Sequence, residues 1–241
     1  MGTFIAVEAT SYDEAAALVA VDAAFGAMER VDRLMHPTRS DSDLSKLGKA
    51  TIGEEVEVDP WTCEVLSIAR VMHEGSGGMF DPCLASAPGR MADLDIQVSR
   101  VVCRAPVEID LGGIAKGFAV DVAIAELQRQ GCDAGLVNAG GDLRVFGAAP
   151  RTIELPTPEG ERAVELLDAA LAASAPRGAN SPPGHRGFYV GDSGKVVEGK
   201  YTAVIAPTAA VADALCKCAM LCDAQTLAKL LARHGARLVI P

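Results

Sequence analysis

The chain has 241 residues, 49% hydrophobic and 22% charged, with a formal net charge of −10 at pH 7. That length supports one large buried core or two small ones. The acidic balance argues against a nucleic-acid or anionic-membrane partner, and no run of about 18 apolar residues offers a membrane span. The N-terminus lacks a basic region followed by an apolar stretch, so no signal peptide is expected and the chain reads as cytoplasmic as it stands.

Phe4 to Glu8 alternates like a strand. Tyr12 to Met35 is alanine-rich, with Leu18, Val21, Phe25, Met28, Val31 and Met35 spaced by three and four, which predicts a helix with one buried stripe. A short helix over Asp41 to Lys46 follows a polar loop, and Glu54 to Asp59 alternates as a strand. Pro60 suits the first turn of a helix reaching Glu74, ended by Gly75-Ser76-Gly77-Gly78 before the Phe80-Asp81-Pro82 turn. Asp95 to Val98, Val101 to Arg104 and Pro106 to Ile109 read as short strands, and Lys116 to Gln130 as a helix stopped by Gly131. Leu136 to Asn138 and Leu143 to Phe146 form a strand pair around Gly140-Gly141. Thr152 to Leu155 is expected as a strand, Glu161 to Ala173 as a helix, and the Pro- and Gly-rich stretch from Ala175 to Gly187 as loop. A strand at Tyr201 to Ile205, helices at Ala209 to Cys222 and Ala224 to His234, and a strand at Arg237 to Ile240 complete the chain. Strands and helices mix without strict βαβ alternation, which predicts an α+β fold with mixed or antiparallel sheets packed against helices. Without repeat or linker, residues 1–241 read as a single domain, or as two intertwined α/β lobes.

The seven cysteines lack the paired spacing of a disulfide framework or a structural zinc site. Cys218 and Cys222 share a helical face and Cys216 points elsewhere, as expected of small apolar residues packed on a sheet. The four histidines show no metal-ligand spacing.

The densest chemistry lies in Asp110-Leu111-Gly112-Gly113-Ile114-Ala115-Lys116-Gly117, which runs into an amphipathic helix. Glycines permit close backbone approach, a helix start offers N–H groups and a positive dipole end to an anion, and Lys116 adds a point charge suited to phosphate. Asp110 either caps the Gly112-Gly113 turn or accepts hydrogen bonds from a ribose or adenine. Asp213 is the one carboxylate between Val204 and Leu221, and a buried acid needs a partner. Lys217, four residues on, can pair with it. Asn138, Gly140, Gly141 and Asp142 read as a tight turn supporting the site.

Several segments together resemble the FAD:protein FMN transferases, the flavin-transferase family once called thiamine-biosynthesis lipoproteins. They are Met1-Gly2-Thr3, the 35–48 loop MHPTRSDSDLSKLG, Gly77-Gly78-Met79-Phe80-Asp81-Pro82, the 110–121 stretch, Leu136-Val137-Asn138-Ala139-Gly140-Gly141-Asp142, and Val204-Ile205-Ala206-Pro207-Thr208 with Ala212-Asp213-Ala214-Leu215. The resemblance implies a flavin-transferase-like fold. The implied reaction is Mg²⁺-dependent: a Thr or Ser hydroxyl of a target flavoprotein attacks the FAD pyrophosphate, FMN becomes joined through a phosphoester, and AMP leaves.

Carried over residue by residue, the resemblance implies FAD or flavin contacts at Met1, Thr38, Met79, Phe80, Asp81, Asp110 and Lys116. It further implies Mg²⁺ ligation by the Gly113 carbonyl and by Asp213, which also takes the catalytic role. Family members are often exported lipoproteins whose mature domain begins where this chain does, which would make it periplasmic if a leader has been trimmed.

The chain departs from the family pattern in four places. Thr38 replaces a tyrosine that stacks beside the flavin. Ala173-Ser174-Ala175 replaces Thr-Ser-Gly. The 187–194 stretch lacks the expected His and Asp-Pro. Lys217 stands where the family has a metal-ligating Thr, and an ammonium cannot ligate magnesium. This leaves an ion pair without metal, a weakened Mg²⁺ site, or Lys217 standing where the metal's charge would meet the pyrophosphate. The alternatives to a transferase are a catalytically silent flavin-binding or assembly protein, and an FAD pyrophosphatase.

Overall fold

The computed structural model describes residues 3–11, 13–174 and 201–240. Its main layer is a six-stranded antiparallel sheet in the order β1 (Ile5–Thr10), β5 (Ala134–Ala139), β6 (Asp142–Phe146), β9 (Ala170–Ser174), β10 (Thr202–Ala206) and β11 (Arg237–Ile240). A three-stranded sheet joins β2 (Glu55–Glu57), β4 (Arg100–Cys103) and β3 (Leu94–Ile96), and β7 (Arg151–Thr157) pairs with β8 (Gly160–Leu166). The helices are α1 (Glu14–Met35), α2 (Asp43–Lys49), α3 (Pro60–Gly75), α4 (Ala115–Arg129), α5 (Ala209–Leu221) and α6 (Ala224–Arg233). The α+β expectation holds.

Strand periodicity explains how the main sheet is buried on both faces. Ala170, Ala172, Val204 and Ala206 join the large core beneath α4 and α5. The intervening Leu171, Ala203 and Ile205 join a second cluster with Leu155, Val164 and Leu166 of the β7–β8 hairpin. The two-residue turn between β5 and β6 uses Gly140 (φ 62) and Gly141 (φ 97), both left-handed, as the tight hairpin requires. Asn138 Oδ1 accepts the Gly141 N–H at 3.0 Å and closes it.

Residues 161–173 correct the sequence reading: they form β8 and β9, not a helix. The alanine-rich run has helical propensity, but small side chains also suit a central strand beneath a closely packed helix, and that packing prevails. Pro106 to Ile109 contributes an isolated bridge, Cys83 to Ile109, in place of a strand. On α1 the buried stripe turns toward Ala20 and Ala24, leaving Leu18 exposed. The loop expected over 175–187 and the divergent 187–194 stretch lie outside the described residues. All seven cysteines are free.

Helix α2 is tied to α3 through the buried Asp43. Its Oδ2 accepts the Asp59 N–H and the Thr62 hydroxyl, each at 2.8 Å, while Oδ1 meets Lys46 at 2.7 Å. Helices α4 and α5 approach so closely at Gly117 that a Cβ there would lie 2.2 Å from the Ala209 carbonyl oxygen. Gly117→Ala is therefore expected to destabilise by about 1–3 kcal/mol through overpacking. Gly26→Ala on α1, where a Cβ meets nothing within 4 Å, should stabilise by about 0.5–1 kcal/mol through helix propensity. Urea unfolding of both variants checks the contrast; equal effects would rule out the close crossing.

Candidate functional site

The 110–117 segment folds as a turn leading into α4. Asp110 Oδ1 accepts the Gly112 N–H at 2.7 Å, so its carboxylate caps the turn. Among the described residues no side chain caps α4 at Ile114, and Lys116 sits in the first helical turn with its side chain 31% exposed. The Gly117 N–H donates to Asp213 Oδ2 of α5 at 3.4 Å. An anionic group thus already rests at this helix start, where the dipole favours it.

Two ion pairs meet here. Lys116 Nζ donates to Asp142 Oδ2 of β6, and Lys217 Nζ donates to Asp213 Oδ1 one turn before it on α5. Lys217 Nζ also donates to the Ser174 hydroxyl of β9 at 2.8 Å. Asp142 and Asp213 are fully buried, and Lys217 nearly so. Asp142 Oδ1 has no hydrogen-bond partner among the described residues. Burial and the nearby Asp213 charge push Asp142 up to about 7 against the pull of Lys116 and Lys217. Burial also works to raise Asp213, but the ammoniums of Lys217 and Lys116 outweigh it and hold Asp213 below the usual carboxylate range. Lys116 is held above the ordinary lysine value: burial opposes its charge, but Asp213 and Asp142 prevail. With all four ionised the cluster carries no net charge; with Asp142 protonated it carries one positive charge.

The buried Phe80 ring reaches the same place, since a Cβ on Gly113 would lie 3.6 Å from Phe80 Cε2 and 3.4 Å from Lys217 Cγ. Met79 beside it is half-buried. Asp81 makes local contacts: Oδ1 accepts the Cys83 N–H at 2.8 Å, and Oδ2 lies 3.6 Å from His73 Nδ1. Thr38 is exposed and hydrogen-bonds His36 Nδ1 at 3.3 Å. Met1 lies outside the described residues. A cavity of about 390 Å³ is lined by Thr3, Phe25, Met28 and Arg39 among others, and by none of the predicted flavin contacts. Thr3 packs directly on Gly140, which connects this cavity to the turn carrying Asp142.

Gly113, Lys116, Asp213, Lys217 and Phe80 are thus brought together, while Thr38 and Asp81 make separate local contacts. Asp142, a turn residue by its sequence, is instead the partner of Lys116, and Asp121 is a site residue to which no motif assigns a role. Asp121 Oδ1 and Oδ2 accept the Ala209 and Ala210 N–H groups at 2.9 and 2.8 Å, and Arg144 meets it at 2.8 Å. The available signal was an acid on the otherwise apolar face of α4.

A sequence profile described as the ApbE family matches residues 1–240. The chain belongs to the ApbE family. A Rhodobacter capsulatus protein named FAD:protein FMN transferase is 31% identical over an alignment of 176 residues, and the match covers 61% of this chain and 33% of that protein. The match thus spans about a third of that relative's length. Among solved structures, the apo Pseudomonas stutzeri flavinyl transferase ApbE superposes with a TM-score of 0.83 at 23% identity, covering 100% of this chain and 89% of that one. The ApbE protein of Thermotoga maritima gives 0.82 at 25%, covering 98% and 90%.

The magnesium ligands expected from the family pattern do not fit a divalent ion here. Asp213 has one oxygen on the Lys217 ammonium and the other on the Gly117 N–H. Lys217 presents a cation where a hard oxygen ligand is required. Among the described residues no group of three or more His, Cys, Asp or Glu side chains could hold a metal. Asp213 and Lys217 form the i,i+4 ion pair that their spacing allows.

The raised Asp142 has a consequence for stability. The folded state holds a proton to about 7, whereas an ordinary carboxylate releases it near 3.8. Its contribution is therefore fully present below the lower value and is lost as pH rises through the upper one. Wild type should lose stability relative to Asp142→Asn across that window, by at most about 1.4 kcal/mol per pH unit. Urea unfolding of both proteins at a series of pH values tests this; a constant difference would show that Asp142 titrates normally.

Proposed function

We propose that this chain binds FAD and transfers its FMN moiety to a Thr or Ser hydroxyl of a separate target flavoprotein, releasing AMP. The observation that carries the reading is the placement of Lys116. Its partly exposed side chain leaves the first turn of α4, just past the Gly112-Gly113 turn, and its ammonium is held by the buried Asp142. Family membership and the name of the Rhodobacter relative support the same chemistry.

In this reaction the acceptor oxygen forms a bond to the phosphorus on the FMN side of the pyrophosphate. The bond from that phosphorus to the bridging oxygen breaks, AMP leaves with that oxygen, and the hydroxyl proton passes to solvent. Lys116 would bind the pyrophosphate and meet the charge that grows on the departing oxygen, the kind of positioned electrostatic contact that favours a transition state. Asp142 is a positioning residue: it holds Lys116 on the loop side. Asp213 has no exposed surface and both oxygens engaged, so its part is to fix Lys217 and the first turn of α4 and not to take the hydroxyl proton.

Lys116→Ala should weaken FAD binding by about 1.5–3 kcal/mol, the range for a hydrogen bond to a charged group. Fluorescence titration with FAD measures it, and unchanged affinity would remove the site assignment. Incubating wild type with FAD, with and without an acceptor domain bearing the target Thr or Ser, then decides the reaction. AMP and a flavin-labelled acceptor formed together identify the transferase. AMP without acceptor identifies a pyrophosphatase, and bound FAD without AMP a flavin-binding protein.

A further inference from the structure

We infer that Lys217 is a built-in counter-cation for the FAD pyrophosphate, so that this site takes its dinucleotide without a divalent metal. The inference deepens the FAD reading above and rests on it.

The ammonium is reached through the protein, not from solvent. Lys217 rises from α5, is nearly buried, and ends between Asp213 Oδ1 and the Ser174 hydroxyl. A buried ammonium without partners would be costly, but here a carboxylate and a hydroxyl accept its hydrogen bonds. Its stem runs directly under the glycine loop: a Cβ on Gly113 would lie 3.4 Å from Lys217 Cγ and 3.7 Å from Cε. The backbone that would receive a pyrophosphate therefore lies against the lysine. A phosphate on this loop meets Lys116 from the helix start and, from beneath, the Lys217 ammonium that it would share with Asp213, in surroundings that screen charge far less than water.

The same arrangement disfavours a metal. Magnesium requires near-octahedral oxygen ligands. It would have to displace the Lys217 ammonium from Asp213 and remain beside two ammoniums already paired with Asp142 and Asp213. One positive charge is already installed where the donor set would otherwise call for a metal. Ser174 strengthens the assignment, because the alternation of β9 directs it to the α5 side with Ala170 and Ala172. It supplies an acceptor to the ammonium in place of a further anion.

The test compares FAD binding by flavin fluorescence in EDTA and in excess Mg²⁺, with Mg²⁺ calorimetry on the FAD-free protein. For wild type, FAD affinity should agree in the two buffers within about threefold, and Mg²⁺ should give no binding heat. Lys217→Thr removes the ammonium and offers an oxygen one turn from Asp213. Its FAD affinity should fall at least about tenfold in EDTA and recover with Mg²⁺. The double variant Asp213→Asn with Lys217→Thr leaves no buried charge unpaired. It should bind FAD weakly in both buffers. Wild-type affinity that rises about tenfold or more with Mg²⁺ would overturn the inference while leaving the FAD reading intact. Full FAD affinity of Lys217→Thr in EDTA would also overturn it. A wild type that binds FAD in neither buffer would remove the FAD reading itself.

Discussion

The close crossing of α4 and α5 at Gly117 is the constraint on which the site depends. Each helix begins with backbone donors that need partners, and each obtains them from the other's carboxylate. Asp121 of α4 accepts from Ala209 and Ala210 at the start of α5, and Asp213 of α5 accepts from Gly117 at the start of α4. Both carboxylates lie at the positive end of a helix dipole. Only a glycine permits the approach that makes this exchange possible. Once the two helix starts are locked together, Lys116 and Lys217 are brought to the same glycine loop.

Four charges gathered in this way are poor evidence for stability. Taking ammonium and carboxylate groups out of water costs about as much as their pairing returns, whereas removing one member leaves an uncompensated charge. Asp142 makes the point most clearly. It is wholly buried, shares one oxygen with Lys116, and has no hydrogen-bond partner for the other among the described residues. Such a group is more costly than an apolar residue would be at the end of a strand. Its retention makes sense as positioning, because the Lys116 side chain would otherwise be free to extend into solvent from the first turn of α4.

Local rules made much of the frame readable. Pro60 at a helix start, Gly131 after a helix end and Gly140-Gly141 between two apolar runs each impose a backbone conformation that neighbouring residues cannot override. The 161–173 stretch was opaque because its alanines favour a helix by propensity, while their place under α5 demands small residues on a strand. Ser174 was hidden for the same reason: its orientation follows only from the alternation of β9. In the site, Lys116, Asp213 and Lys217 were marked by type and spacing. The partnership of Lys116 with Asp142 was not, because it joins residues 26 apart in sequence across a helix–sheet interface.

The identity of residue 217 shows how one helical position can change the chemistry of a site without altering its frame. Position 217 is one turn beyond Asp213, so any side chain there with reach and polarity meets the same carboxylate. A hydroxyl would add an oxygen to a cation site and leave the carboxylate short of positive charge. An ammonium supplies that charge and closes the coordination. The sheet accommodates the longer side chain through small neighbours: Ala170 and Ala172 precede Ser174 on the same face, and Gly113 leaves room over the lysine stem. A larger residue at 113 would press on that stem, and an apolar one at 174 would deprive the ammonium of an acceptor. Lysine at 217 is thus matched by its surroundings on β9 and the glycine loop, as expected of a group built into the site and not of a solvated lysine displaced inward.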